Sequence, residues 1–211
     1  MWSLLVGVCR SENALILVPD STGFVQVGQS GGSESSGGLR SESSKPPWST
    51  DVAENDWKYI VLHHSGTAAG SVEAIHREHR SRRDASGNNW LGIGYHFVIG
   101  NGNGMTDGSV VGTFRWKDQI HGAHSGHAVF NARGIGICLI GNFEERAPTA
   151  KQMAAVRKLV GMLAGRFSIS GDRVVGHSSI RATSCPGKLF PLKELREIAS
   201  KEAMVLTQPA F

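Results

Sequence analysis

Apolar and polar positions change period along this chain, and each change marks an element. Residues 57–64 (WKYIVLHH) are apolar on both faces for the length of one strand, as in a central strand covered from both sides. Across Ser71–Arg83 the period lengthens to that of a helix, with Val72, Ile75, His76 and His79 on one face. Ile93–Ile99 returns to strand and runs into the turn-forming Asn101-Gly102-Asn103-Gly104. Ile135–Ile140 (IGICLI) predicts a third strand, nearly all apolar. Thr149 then opens the strongest helix. Gln152 follows three residues on, as in a capping box, and Met153, Val156, Leu159, Val160 and Leu163 recur at helical spacing. Arg173–His177 suits a short strand, and Pro191–Ala203 a closing helix with Leu192, Leu195 and Ile198 inward. Strands interleaved with helices predict an α/β layered domain, and no internal repeat is visible.

The pattern fails between Gly28 and Pro47, where 5 Gly and 7 Ser stand among 20 residues with one apolar side chain, Leu39. Such a segment buries too little surface to offset its ordering entropy, so 28–50 reads as a flexible linker. The folded domain is expected over 51–203, with a C-terminal tail at 204–211 and a separate N-terminal segment at 1–27. That first segment opens MWSLLVGVC, apolar and leading into a cysteine as an export or lipoprotein signal would. However, no Lys or Arg precedes the apolar run, and the bulky Val8 stands before Cys9. A degenerate signal, a poorly structured N-terminus and a start inside a longer signal all remain open.

Composition narrows the classes. The chain has 211 residues, 40% hydrophobic and 19% charged, enough for a core. No run approaches the ~18 apolar residues of a membrane span, which excludes an integral membrane segment. Three cysteines in 211 residues exclude a disulfide-framework miniprotein. The net charge of +4 is a mild bias toward anionic partners such as cell-wall polymers, and too small to argue for nucleic acid.

Few side chains can carry chemistry. His63 and His64 end the first strand, where neighbours face opposite sides. His177 ends a later strand, and Cys185 follows in a small polar loop whose Cys185-Pro186-Gly187 turn can direct the sulfur back. Taken alone, each is as readily a structural residue as a ligand. Together His63, His177 and Cys185 offer three N/S donors, the number expected of a zinc site that keeps its fourth position open. One thiolate against the dication leaves such a site at a net positive charge. Tyr95, in GIGYHF, is either a core-edge residue or a phenol that donates to a developing oxyanion. His64 and His96 are read as substrate contacts, and His121 and His124, in QIHGAHSG, as substrate contacts or polar loop residues, with His124 the preferred contact. Arg115-Trp116 pairs a planar cation with an aromatic face, suited to a carboxylate and a sugar. Cys138 reads as core.

Four ordered blocks, IVLHHSGT, WLGIGYHFVIGNGNG, HGAH with N-x-x-G-I-G-I-C-L-I-G-N-F, and GHSSIRATSCPG, resemble the zinc-dependent type-2 N-acetylmuramoyl-L-alanine amidases. That family includes phage lysozyme-like amidases and peptidoglycan recognition proteins, and the resemblance covers about residues 57–200. It implies a mixed central β-sheet flanked by helices, and one Zn2+ per chain held by His63, His177 and Cys185. It also implies catalytic roles for Tyr95 and Thr183. Thr183 stands where phage members have a lysine and many recognition-protein amidases a threonine. Cys138 falls where cytoplasmic anhydromuropeptide amidases carry a catalytic glutamate, so the resemblance points to the phage and recognition-protein branch. The implied activity is hydrolysis of the amide between N-acetylmuramic acid and L-alanine in peptidoglycan or muropeptides. The implied location is the cell envelope, periplasmic or secreted, and the expected state is a monomer. The alternative is a peptidoglycan-binding module without catalysis, but non-catalytic members typically lack the zinc cysteine that is present here.

Overall fold

The computed structural model describes residues 46, 48–84 and 86–205. The N-terminal segment 1–27, the linker up to residue 45 and the tail from residue 206 lie outside the described residues, as does Cys9. In chain order the domain comprises β1 (Tyr59–His64), α1 (Val72–Arg80), β2 (Phe97–Ile99), β3 (Val110–Gly112), α2 (Phe114–Lys117), α3 (Ala128–Arg133), β4 (Gly134–Leu139), α4 (Ala150–Phe167), β5 (Val174–Gly176) and α5 (Leu192–Val205). The strands form one mixed sheet in the order β3-β2-β4-β1-β5. β1 runs parallel to β4 and β5, β2 parallel to β4, and β3 antiparallel to β2.

Strand alternation divides the sheet into two faces with different tasks. Ile60 and Leu62 of β1, Phe97 and Ile99 of β2, and Ile135, Ile137 and Leu139 of β4 join the main core. Val156, Leu159, Val160 and Leu163 of α4 and Leu195 and Ala199 of α5 complete it. On the opposite face β4 presents Gly134, Gly136 and Cys138, in register with Tyr59, Val61 and His63. A smaller cluster of Ile93, Val98 and Ile140, packed by Val72 and Ile75 of α1, covers part of that face. Strand β4 is therefore two patterns interleaved, with large side chains toward α4 and α5 and small ones toward the opposite face.

Several boundaries differ from the sequence expectation. The second strand shrinks from Ile93–Ile99 to Phe97–Ile99, because the Gly94 amide donates to His79 Nδ1 at 2.9 Å rather than to a sheet partner. β3, α2 and α3 were not expected from the pattern; at 3, 4 and 6 residues none spans enough periods to announce itself. The Asn101–Gly104 turn is present, with Gly102 and Gly104 at φ 89° and 86°, where a side chain would strain the backbone. Among the described residues no helix is long and apolar enough to cross a membrane.

The start of α4 was legible to the residue. Thr149 Oγ1 accepts from the Gln152 amide at 3.0 Å, and Gln152 Oε1 accepts from the Thr149 amide at 3.1 Å. Gln152 Nε2 then donates to the Ile140 carbonyl at 2.8 Å, tying the helix to the end of β4. Thr149→Ala should lower the unfolding free energy by about 1–2 kcal/mol, read as a lower urea midpoint at unchanged slope. Thr149→Ser should restore most of it.

Candidate metal centre

β1 and β5 deliver their C-terminal ends side by side, and three donors meet there. His63, the fifth residue of β1, is wholly buried. His177 opens a 3-10 turn directly after β5 and is half-buried. Cys185 returns on the following loop, which is pinned where the Ser178 amide donates to the Cys185 carbonyl at 2.7 Å. The His64 amide donates to Cys185 Sγ at 3.4 Å, which aims the sulfur at the strand end. The ligand atoms of His63, His177 and Cys185 all lie within 4.8 Å of one another. Cys185 Sγ stands 3.7 Å from His63 Nδ1. Donors bound to one tetrahedral zinc, at about 2.0–2.1 Å for nitrogen and 2.3 Å for sulfur, sit roughly 3.5 Å apart. Two neutral nitrogens and a sulfur at this spacing fit a zinc ion.

The electrostatics suit a cation. Burial holds the His63 imidazole well below its usual pKa, with His124 and His177 adding to the effect, and burial lowers His177 as well. Both rings are neutral and keep a lone pair for a metal. Burial pushes the Cys185 thiol up to about 11, so the thiolate a metal needs forms there only with a cation beside it. His177 Nε2 lies 3.2 Å from the Ser125 carbonyl, and His63 Nε2 lies 3.1 Å from His124 Nδ1, leaving the Nδ1 atoms for the centre.

Tyr95 adjoins the triple, its ring centroid 5.1 Å from that of His63. Burial raises its pKa well above 10, with Cys138 and Cys185 contributing, so the phenol keeps its proton and acts as a donor. Cys138 is fully buried, as expected of core, but its thiol also lies against the Tyr95 hydroxyl. Thr183 is exposed at the rim, where its Oγ1 accepts from the Cys185 amide at 3.3 Å. His64 is half-buried, its Nδ1 accepting from the Phe143 amide at 3.1 Å.

Other sequence candidates lie elsewhere. Arg115 and Trp116 do not form a ligand surface: they are 2% and 0% exposed. The guanidinium donates to the Ile93 and His121 carbonyls at 2.6 and 2.5 Å, bracing the loop that carries Tyr95, and the indole packs on Trp57 and Phe97. His96 is also sealed from ligands, its Nδ1 accepting from the Gly136 amide at 2.9 Å and its Nε2 3.1 Å from the Ile120 carbonyl. His124 stands behind His63 rather than in front of it. Sequence reasoning missed Asn131, whose Oδ1 accepts from the His124 and Ser125 amides at 3.0 and 2.9 Å. The only trace of it was an Asn ahead of the glycine strand.

This geometry can be set beside known proteins. The sequence model of one family, described as N-acetylmuramoyl-L-alanine amidase, matches residues 53–188. The chain belongs to that family. Peptidoglycan-recognition protein SC2 of Drosophila melanogaster is 32% identical over 161 residues, covering 74% of this chain and 79% of the fly protein. Among solved structures, the N-acetylmuramoyl-L-alanine amidase LysC from Clostridium intestinale superposes with a TM-score of 0.57 at 30% identity, over 68% of this chain and 85% of that one. Drosophila peptidoglycan recognition protein SA follows at a TM-score of 0.52 and 25% identity, over 72% and 85%. This amidase-family member thus resembles proteins named for cleavage and proteins named for recognition.

His79 braces the same face. It is 4% exposed, accepts from the Gly94 amide, and packs its ring between Trp90 and Tyr95. Burial lowers its pKa from 6.5 to about 4, with Arg82 adding to the effect. Because the folded value lies below the unfolded one, the neutral ring's contribution is complete above pH 6.5. It is lost as pH falls toward 4, by an amount on the order of 3 kcal/mol. Chelator-treated protein should show its melting temperature falling through that window, and His79→Gln should flatten that part of the profile.

Proposed function

We propose that this domain is a zinc-dependent amidase that cleaves the bond between N-acetylmuramic acid and L-alanine in peptidoglycan or muropeptides. The observation that carries the reading is the donor triple His63, His177 and Cys185, with its ligand atoms all within 4.8 Å of one another, beside the Tyr95 phenol. A zinc ion held there supplies a Lewis acid for the amide carbonyl and makes water a competent nucleophile near neutral pH. Tyr95, protonated and held between His63 and His79, donates a hydrogen bond to the oxyanion as the carbonyl carbon becomes tetrahedral. Thr183 borders the opening and offers a second hydroxyl, and the half-buried His64 lies at the edge that a substrate crosses. All three donors come from one chain, so a monomer completes the site. The substrate class puts the working location in the cell envelope or outside the cell.

The second reading, recognition of peptidoglycan without cleavage, is favoured by the names of relatives such as the SC2 protein. Cys185 weighs against it, because a binding groove needs no buried thiol aimed at two imidazoles.

The test is to incubate the full chain with purified muropeptides, with and without a chelator, and to follow free stem peptide by mass spectrometry. Release that stops on chelation and returns with zinc is expected; binding without release would favour recognition. Cys185→Ser should lose stoichiometric zinc and release together while the circular dichroism spectrum is kept. Tyr95→Phe should keep zinc and lower kcat by about 100-fold or more; an unchanged kcat would remove Tyr95 from the chemistry.

A further inference from the structure

Two metal-facing imidazoles leave open which nitrogen of each carries the proton, and the hydrogen-bond pattern behind them answers it. A carbonyl oxygen can only accept. His124 Nε2 lies 3.1 Å from the Gly134 carbonyl, so that nitrogen bears the hydrogen and Nδ1 of the neutral ring carries the lone pair. His63 Nε2 lies 3.1 Å from that Nδ1, so it must be the donor, and His63 Nδ1, 3.7 Å from Cys185 Sγ, is left bare. The Ser125 carbonyl, 3.2 Å from His177 Nε2, applies the same constraint to the second ring.

We infer that the loop 122–127 is an outer support that fixes the tautomers of both histidine donors, with His124 as the positioning residue for His63. The inference rests on the zinc reading of the triple.

The surroundings are shaped for this role. A Cβ on Gly136 would stand 2.5 Å from the His124 ring, and one on Gly122 would also collide with it. Two glycines therefore make the slot that the imidazole fills. Asn131 of α3 clamps the loop through three bonds to one oxygen, from the His124 amide at 3.0 Å, the Ser125 amide at 2.9 Å and the Ser125 hydroxyl at 2.9 Å. One side chain thereby places both outer acceptors. Outer partners of this kind orient a metal-binding histidine and raise its basicity, and losing one typically weakens metal affinity by about 10–100-fold.

The experiment compares the full chain with His124→Leu, which removes the acceptor, and His124→Asn, whose amide oxygen can take the place of Nδ1. Two-bond proton–nitrogen NMR of the metal-free proteins reads the His63 tautomer, and competition with a chromophoric chelator reads the zinc Kd. The native protein and His124→Asn should show His63 protonated on Nε2 and bind zinc within a few-fold of each other. His124→Leu should show mixed tautomers and bind about 10–100-fold more weakly. An unchanged tautomer and an unchanged Kd in His124→Leu would overturn the inference. If His124→Leu loses its dispersed amide spectrum, Asn131→Ala decides instead, with the same weakening expected and an unchanged Kd overturning it. Should the native chain bind no zinc, the metal reading fails, while the tautomer measured in metal-free protein still tests the relay.

Discussion

The centre of this domain depends on the placement of β1 between two parallel neighbours, β4 and β5. Parallel pairing lines up the C-terminal ends of strands, and loops leaving those ends converge. His63 is therefore brought near His177, which follows β5, and into register with Cys138 on β4. No local sequence feature could bring together residues more than a hundred positions apart. The strand order does so, and hydrogen bonds from His64 and Ser178 then place the sulfur of Cys185.

Burial sets the chemistry of what the strands assemble. A neutral imidazole and a protonated thiol tolerate a dry site in a way their charged forms do not. The same desolvation keeps the Tyr95 phenol protonated. A dication entering this environment meets two ready lone pairs and a sulfur whose proton it must displace. The cleavage and recognition readings differ in whether that event takes place, and so does the use of the phenol beside it.

Much of this was readable in the chain. The capping box at Thr149, the heavy apolar face of α4 and the central run before His63 are local signals, and they appear where the pattern set them. The grouping of His63, His177 and Cys185 was also legible, because two imidazoles and a thiol offer three N/S donors inside blocks that resemble a known family, and the fold brings their ligand atoms together. What stayed hidden was whatever depends on a partner distant in sequence. Arg115 and Trp116 resemble a ligand surface when only their own chemistry is considered, and they are buried because backbone carbonyls from two other loops satisfy the guanidinium. His124 looked like a substrate contact for the same reason. Its partners, a carbonyl and another histidine, are brought to it by the fold.

The two-sided character of β4 has a consequence for how this chain tolerates change. Toward the helices its isoleucines and Leu139 belong to a large shared core, where a lost methyl group is spread over many neighbours and costs a graded amount of stability. Toward the site Gly134 and Gly136 are defined by absent atoms, and the Phe130 carbonyl and the His124 ring occupy the space a side chain would take. One added methyl at Gly136, among the mildest changes in chemistry, displaces the His124 ring that stands behind His63. Six consecutive residues thus have two separate kinds of tolerance, gradual on one side and abrupt on the other. Damage to the site can arise from a position that carries no functional group.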